Sequence, residues 1–222
     1  ADGSGADRVH VLSLLADLAT GSSYLDVHSR FITELRNEPD YHEQLAEELG
    51  WVRESREAVE RGVPTYIHLL RQEPDRDVRL ASAHVLGNCT DQADLSGEAI
   101  QSALLDESDE VARFGLILCL ASLGREADVA PLNAVLADEP STPVRWAAAV
   151  SLARLLRERT PPETVATITQ AFAAPDSIDA LLSLLPWEPV EAVEEARRSL
   201  EFVGEPAASN ALIFGLPHGL DG

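Results

Sequence analysis

The 222-residue chain contains no lysine and no methionine, and all 17 of its basic residues are arginine. Without lysine there is no P-loop phosphate clamp, no protein-kinase ATP lysine and no Schiff base to pyridoxal phosphate or a carbonyl substrate. Cysteine is nearly absent too: Cys89 and Cys119 are the only two. They make no disulfide framework and no Cys-x-x-Cys pair for zinc or redox work. Aromatic residues are only 5% of the chain, and no apolar run approaches the roughly 20 residues that cross a bilayer. The amino terminus, Ala1-Asp-Gly-Ser-Gly5, has no initiator methionine and no signal-peptide core. The expected location is cytoplasmic, away from any membrane.

Acidic residues are what the chain has in excess, 38 against the 17 arginines, for a formal net charge of −21. The excess runs along the whole length: 13 acids and 6 arginines in residues 1–62, 14 and 8 in 63–157, and 11 and 3 in 158–222. Nucleic-acid binding is disfavoured, because it depends on a basic surface that displaces counterions from phosphates. Two readings of the charge stay open, a self-repelling solvated surface and a surface complementary to a basic partner.

Apolar residues recur at spacings of three and four, the helical period. Val11, Leu12, Leu15, Leu18 and Ala19 make one stripe, stopped by Gly21. Asp40-Tyr-His-Glu43 has the form of a capping box, followed by Leu45, Leu49, Val52 and Val59 on a charged helix ending near Gly62. Thr160-Pro-Pro-Glu163 combines an N-cap, a first-turn proline and a glutamate before Val165, Ile168, Thr169 and Phe172. Val190, Val193, Ala196, Leu200 and Val203 form a last stripe before Gly204. The spacing predicts an all-α chain.

The middle of the chain repeats. Arg79, Arg113 and Arg145 fall 34 and then 32 residues apart, each opening a similar helix: Val78-Arg-Leu-Ala-Ser-Ala-His-Val-Leu-Gly87, Ala112-Arg-Phe-Gly-Leu-Ile-Leu-Cys-Leu-Ala121 and Val144-Arg-Trp-Ala-Ala-Ala-Val-Ser-Leu-Ala153. A shorter helix with a paired apolar end precedes each, at Leu69-Leu70, Leu104-Leu105 and Val135-Leu136. These units resemble HEAT repeats, of the short bacterial kind related to bilin-lyase HEAT-like repeats. Asp77-Val78-Arg79 with Leu86-Gly87 carries the resemblance best, and Pro143-Val144-Arg145 carries it well. The second unit departs from it, with Ala112 for the valine and Ala121 for the glycine. The resemblance covers about 63–157 and implies a short right-handed α-solenoid of antiparallel helix pairs. Residues 1–62 and 158–222 would be helical caps of one continuous domain. It also implies that each repeat arginine pairs with an acid of a neighbouring turn, with Asp77, Asp109 and Glu110 as candidates.

Aligning the three second helices assigns Val78, Ser82, Ala83, Val85, Leu86 and Cys89, and their counterparts in the other two units, to the core. Both cysteines fall on this inner set. The opposite stripe carries Leu80, Phe114 and Trp146 at one position and His84, Leu118 and Val150 four residues later. In a regular HEAT stack these would face the concave groove, and five of the six are apolar. An open strip of that kind marks a binding site. The competing expectation is that the same chain covers it, through terminal helices or the tail Ala211-Leu-Ile-Phe-Gly-Leu216.

No His-x-x-x-His or His-Glu-x-x-His arrangement is present, and His42-Glu43 is a lone pair where HEAT-type di-iron hydroxylases use several. There is no Gly-x-Ser-x-Gly elbow and no glycine-rich phosphate loop. Neither a metal nor an organic cofactor is expected, and no catalytic residue is assigned. The preferred reading is a non-catalytic module binding a basic protein or peptide, an acidic adaptor or an immunity or inhibitor protein. Leu80, Phe114, Leu118, Trp146 and Val150 would be its anchors, with His84, Arg79, Arg113 and Arg145 orienting the partner. The alternative is an enzyme or accessory protein acting on a small apolar molecule, such as a pigment or natural-product intermediate. A minor one is an alkylpurine DNA glycosylase-like protein, which would need the basic face this chain lacks. The first two both expect Phe114→Ala with Trp146→Ala to leave the fold largely intact.

Overall fold

Helix follows helix throughout the computed structural model, which describes residues 4–28, 37, 39–171 and 175–203, with no strand among them. The chain forms two compact units, 1–96 and 97–222, each described by itself. The tail Ala211–Leu216 and Phe172 lie outside the described residues.

The first unit contains α1 (Ser4–Thr20), α2 (Tyr24–His28), α3 (Tyr41–Glu60), α4 (Val63–Gln72) and α5 (Arg76–Asn88). Its centre is α5, against which both α1 and α4 pack. Asp75 caps α5, its carboxylate accepting from the Asp77 and Val78 amides and satisfying donors that a helix start leaves open. α1 begins where α5 begins: Arg8 donates to Glu73, and a Cβ on Gly5 would press on the Asp75 carboxylate. The opposite end of α1 is tied to α3, where Arg56 Nε donates to the Ala19 carbonyl at 3.0 Å. Just beyond it, Glu48 accepts from Ser23 Oγ at 2.6 Å and the Leu25 amide at 3.0 Å. α1 and α3 therefore run antiparallel.

Two local expectations are corrected. The α1 apolar residues do not share one face: Leu12, Ala16 and Ala19 are buried, whereas Val11 and Leu18 point outward with Leu14. The Asp40 capping box does not form. Asp40 precedes α3 without a side-chain cap, its ψ of 8° lying far from the extended backbone that such a cap uses.

α6 (Ala93–Asp106) contains the boundary between the units. The second unit continues with α7 (Glu110–Ser122), α8 (Val129–Asp138), α9 (Thr142–Leu156), α10 (Pro162–Ala171), α11 (Pro175–Leu182) and α12 (Val190–Val203). Here α9 is the centre, packed by α7, α8, α10, α11 and α12. Asp109 caps α7 and Ser141 caps α9, as Asp75 caps α5. α7 stops at Gly124, whose φ of +68° suits a residue without a Cβ. Pro162 opens α10 as its sequence suggests, but the Thr160 hydroxyl donates back to the Arg157 carbonyl at 2.6 Å.

One buried polar cluster sits in the second unit. Asp128 is fully buried; its Oδ1 accepts from Gln101 Nε2 and lies 3.5 Å from Arg125 Nη1. The guanidinium occupies the space beside Gly97, where any Cβ would overlap it. Gly97→Ala is therefore expected to expel Arg125 and strand the Asp128 carboxylate. The cost should be about 3–5 kcal/mol, the usual penalty for breaking a buried pair. It would be read as a lowered urea midpoint, and an unchanged midpoint would refute the packing described for this cluster.

Candidate functional site

The three second helices are buried almost all round. In α5 every residue from Val78 to Gly87 is buried except Arg79 and His84, which are half-buried. In α7 the run from Val111 to Ala121 is interrupted only by Arg113, and in α9 the run from Pro143 to Ala153 only by Arg145. The core positions assigned by the repeat alignment are buried accordingly, apart from the half-buried Leu155.

This corrects the expected open strip. Leu80, Phe114, Leu118, Trp146 and Val150 are all buried, so none of them presents an accessible anchor. A helix that is apolar on every side is a core helix, and burying each large side chain contributes about 1.5–3 kcal/mol. In the first unit α1 and α4 pack against α5; in the second, five helices pack against α9. Phe114 and Trp146 do meet, with ring planes 7° apart and centroids 6.1 Å apart, but as an interior stack. The Trp146 indole N–H is buried with no acceptor among the described residues.

The half-buried positions have structural work. Arg79 Nη1 donates to the Glu73 and Pro74 carbonyls, both at 3.1 Å, gripping the chain just past α4. Arg113 Nη1 does the same to Leu104 and Glu107, while its Nη2 reaches Glu139 in the α8–α9 turn at 2.6 Å. Arg145 bonds to Thr142 Oγ1 at 3.3 Å. The candidate acids take other roles: Asp77 pairs with Arg76, Asp109 caps α7, and Glu110 accepts from Ser141 Oγ. A glutamate outside the expected site residues stands six residues before each arginine, at Glu73, Glu107 and Glu139. Its signal was present, since the spacing is the same in all three units. Glu73 and Glu139 receive arginines, and Glu107 accepts the Ser108 and Asp109 amides.

Titratable groups follow the same logic of burial and capping. Burial raises both thiols, Cys89 to about 12 and Cys119 further, so neither is a thiolate nucleophile near neutrality. Glu48 is held below the ordinary carboxylate range, chiefly by the Leu25 amide and the Ser23 hydroxyl. Burial raises Glu60 instead, against the Asp91 amide that donates to its Oε1. Its Oε2 finds no partner among the described residues. No cluster of three or more metal-ligating side chains occurs among the described residues, and no described helix is long and apolar enough to cross a membrane.

Residues 63–153 match the family model for HEAT repeats. The chain carries HEAT repeats. The match spans α4 to α9, the helices whose caps and arginines recur in register. HEAT repeats generally mediate protein interaction. No curated protein and no solved structure matches the chain.

Glu60 gives a pH test. With its folded pKa above the ordinary 4.5, it favours the folded state below that value and loses this contribution as pH rises through the folded pKa. Glu48 acts in the opposite sense, stabilising above its ordinary pKa and losing that contribution on acidification. Glu60→Gln should thus match the wild type near pH 4 and exceed it at pH 7 in urea midpoint, with the Glu48 contribution cancelling. A difference that does not vary with pH would contradict the assignment.

Proposed function

We propose that this HEAT-repeat chain is a non-catalytic interaction module that binds a basic protein or peptide, in the manner of an acidic adaptor or inhibitor. The observation that carries the reading is where the charges go. Arg56 and Arg79 are directed at backbone carbonyls, and Arg8, Arg113 and Arg125 at carboxylates that are largely or wholly buried. Arg53, Arg61, Arg71, Arg157 and Arg159 are exposed, but exposed carboxylates outnumber them, among them Asp7, Asp17, Glu43, Glu47, Glu54 and Glu98. The accessible surface is thereby rich in acid, and such a surface steers basic partners by long-range attraction.

The alternative of a small apolar ligand needs Phe114 and Trp146 to line an accessible pocket. Both are buried and stacked on each other, which removes them as pocket lining and as protein anchors alike, and the acidic surface is what supports the protein-binding reading. The full chain, immobilised beside an unrelated protein of equal negative charge, should retain specific basic proteins from a lysate of its source cells. These should dissociate as salt rises from about 0.05 to 0.5 M, where the Debye length shrinks to a few ångströms. Retention no greater than on the control, or retention of small apolar molecules alone, would refute the proposal.

A further inference from the structure

We infer that the outward face of α1 is a docking face for a basic amphipathic helix of the partner, an inference that rests on the protein-binding reading above. Val11, Leu14 and Leu18 keep 54%, 49% and 49% of their surface exposed, at spacings of three and four that put them on one line. The buried face of the same helix, Leu12, Ala16 and Ala19, already anchors it. The outward leucines and valine are therefore not needed to hold α1 in place.

Charge selects the occupant. Asp7 stands one turn before Val11 on the line of the stripe, and Asp17 flanks its far end; both are exposed. The basic residue of α1, Arg8, is directed at Glu73 and away from this role. The first unit as a whole has 18 acids to 9 arginines. A second copy of the chain would bring the same carboxylates and a net charge of −21 against its like. A partner helix with leucine-like residues on one face and lysine or arginine at the rim meets both requirements. From Asp7 to Leu18 the line is about 16 Å long, three turns of helix, which sets the length of the contact.

The probe is a synthetic 18-residue helix of leucine and lysine with one apolar face, alongside a peptide of the same composition scrambled to remove that face. The full chain should bind the amphipathic peptide and not the scrambled one. Val11→Gln/Leu14→Gln/Leu18→Gln should weaken binding at least about tenfold, or 1.4 kcal/mol, with an unchanged melting temperature because these side chains are exposed. Asp7→Asn/Asp17→Asn should flatten the salt dependence. Equal binding of the scrambled peptide, or undiminished binding by the triple variant, would overturn the docking face. So would a dimer broken by the triple variant, which makes a second copy the occupant, or displacement of the probe by a peptide of residues 205–218. If the triple variant still retains salt-sensitive basic proteins from lysate, the docking face fails and the protein-binding reading stands. If the wild type retains none, that reading fails as well.

Discussion

Burial of the second helices on every side is the constraint from which the rest of this structure follows. From Val78 to Gly87 in α5, Val111 to Ala121 in α7 and Pro143 to Ala153 in α9, only Arg79, His84, Arg113 and Arg145 are not buried. Their polar side chains concentrate at the amino-terminal turn, with His84 half-buried further along α5. An acid or serine caps the helix, an arginine four residues later bonds within or across the turn, and a glutamate six residues before the arginine receives an arginine from another element, at Glu73 and Glu139, or the amides of its own turn, at Glu107. Arg113 shows the purpose. One guanidinium satisfies two carbonyls at the turn within its own helix pair and a carboxylate in the turn of the next. Such a residue fixes the spacing of successive pairs with directional bonds, where apolar packing alone would leave the pairs freer to slide.

Charges that do enter the interior are held in two different ways. Asp128 is matched to a cation and an amide, and the glycine at 97 exists to leave room for that cation. Glu60 has an amide donor on one oxygen and burial around the other, which favours its neutral form. The first arrangement is a fixed structural pair. The second makes the α3 end of the first unit sensitive to pH within a range set by one carboxyl group.

Much of this was legible in the sequence. Helical period located α1, α3, α10 and α12, and the 34- and 32-residue steps between arginines located the repeats and their core positions, including both buried cysteines. Period alone could not say whether the stripe through Leu80, Phe114 and Trp146 was open or covered, because an apolar helix face reads the same in a groove and in an interior. What decides is the packing of distant helices, α1 on α5 and the carboxyl-terminal helices on α9, and no local pattern encodes that. The Gly97–Arg125 contact was invisible for the same reason, its partners being 28 residues apart with no periodic signature. The glutamate six residues before each arginine is legible by its spacing, but in so acidic a chain only its partner in the fold distinguishes it from the other carboxylates. The α1 stripe was read as one face because Val11 and Leu12 are adjacent, although adjacent helical residues are about 100° apart.

The displaced apolar strip also changes where recognition can take place. Anchors on the second helices are committed to the fold, so the apolar contact area a partner can reach has to come from other elements, and in the docking proposal it comes from α1 beside exposed carboxylates. The most direct test of the burial on which this rests is the equilibrium unfolding of Phe114→Ala and Trp146→Ala, each alone. Both should lower stability by about 3–5 kcal/mol, the range for removing a buried aromatic ring. Urea midpoints within experimental error of the wild type would contradict the account and return these two residues to an open surface.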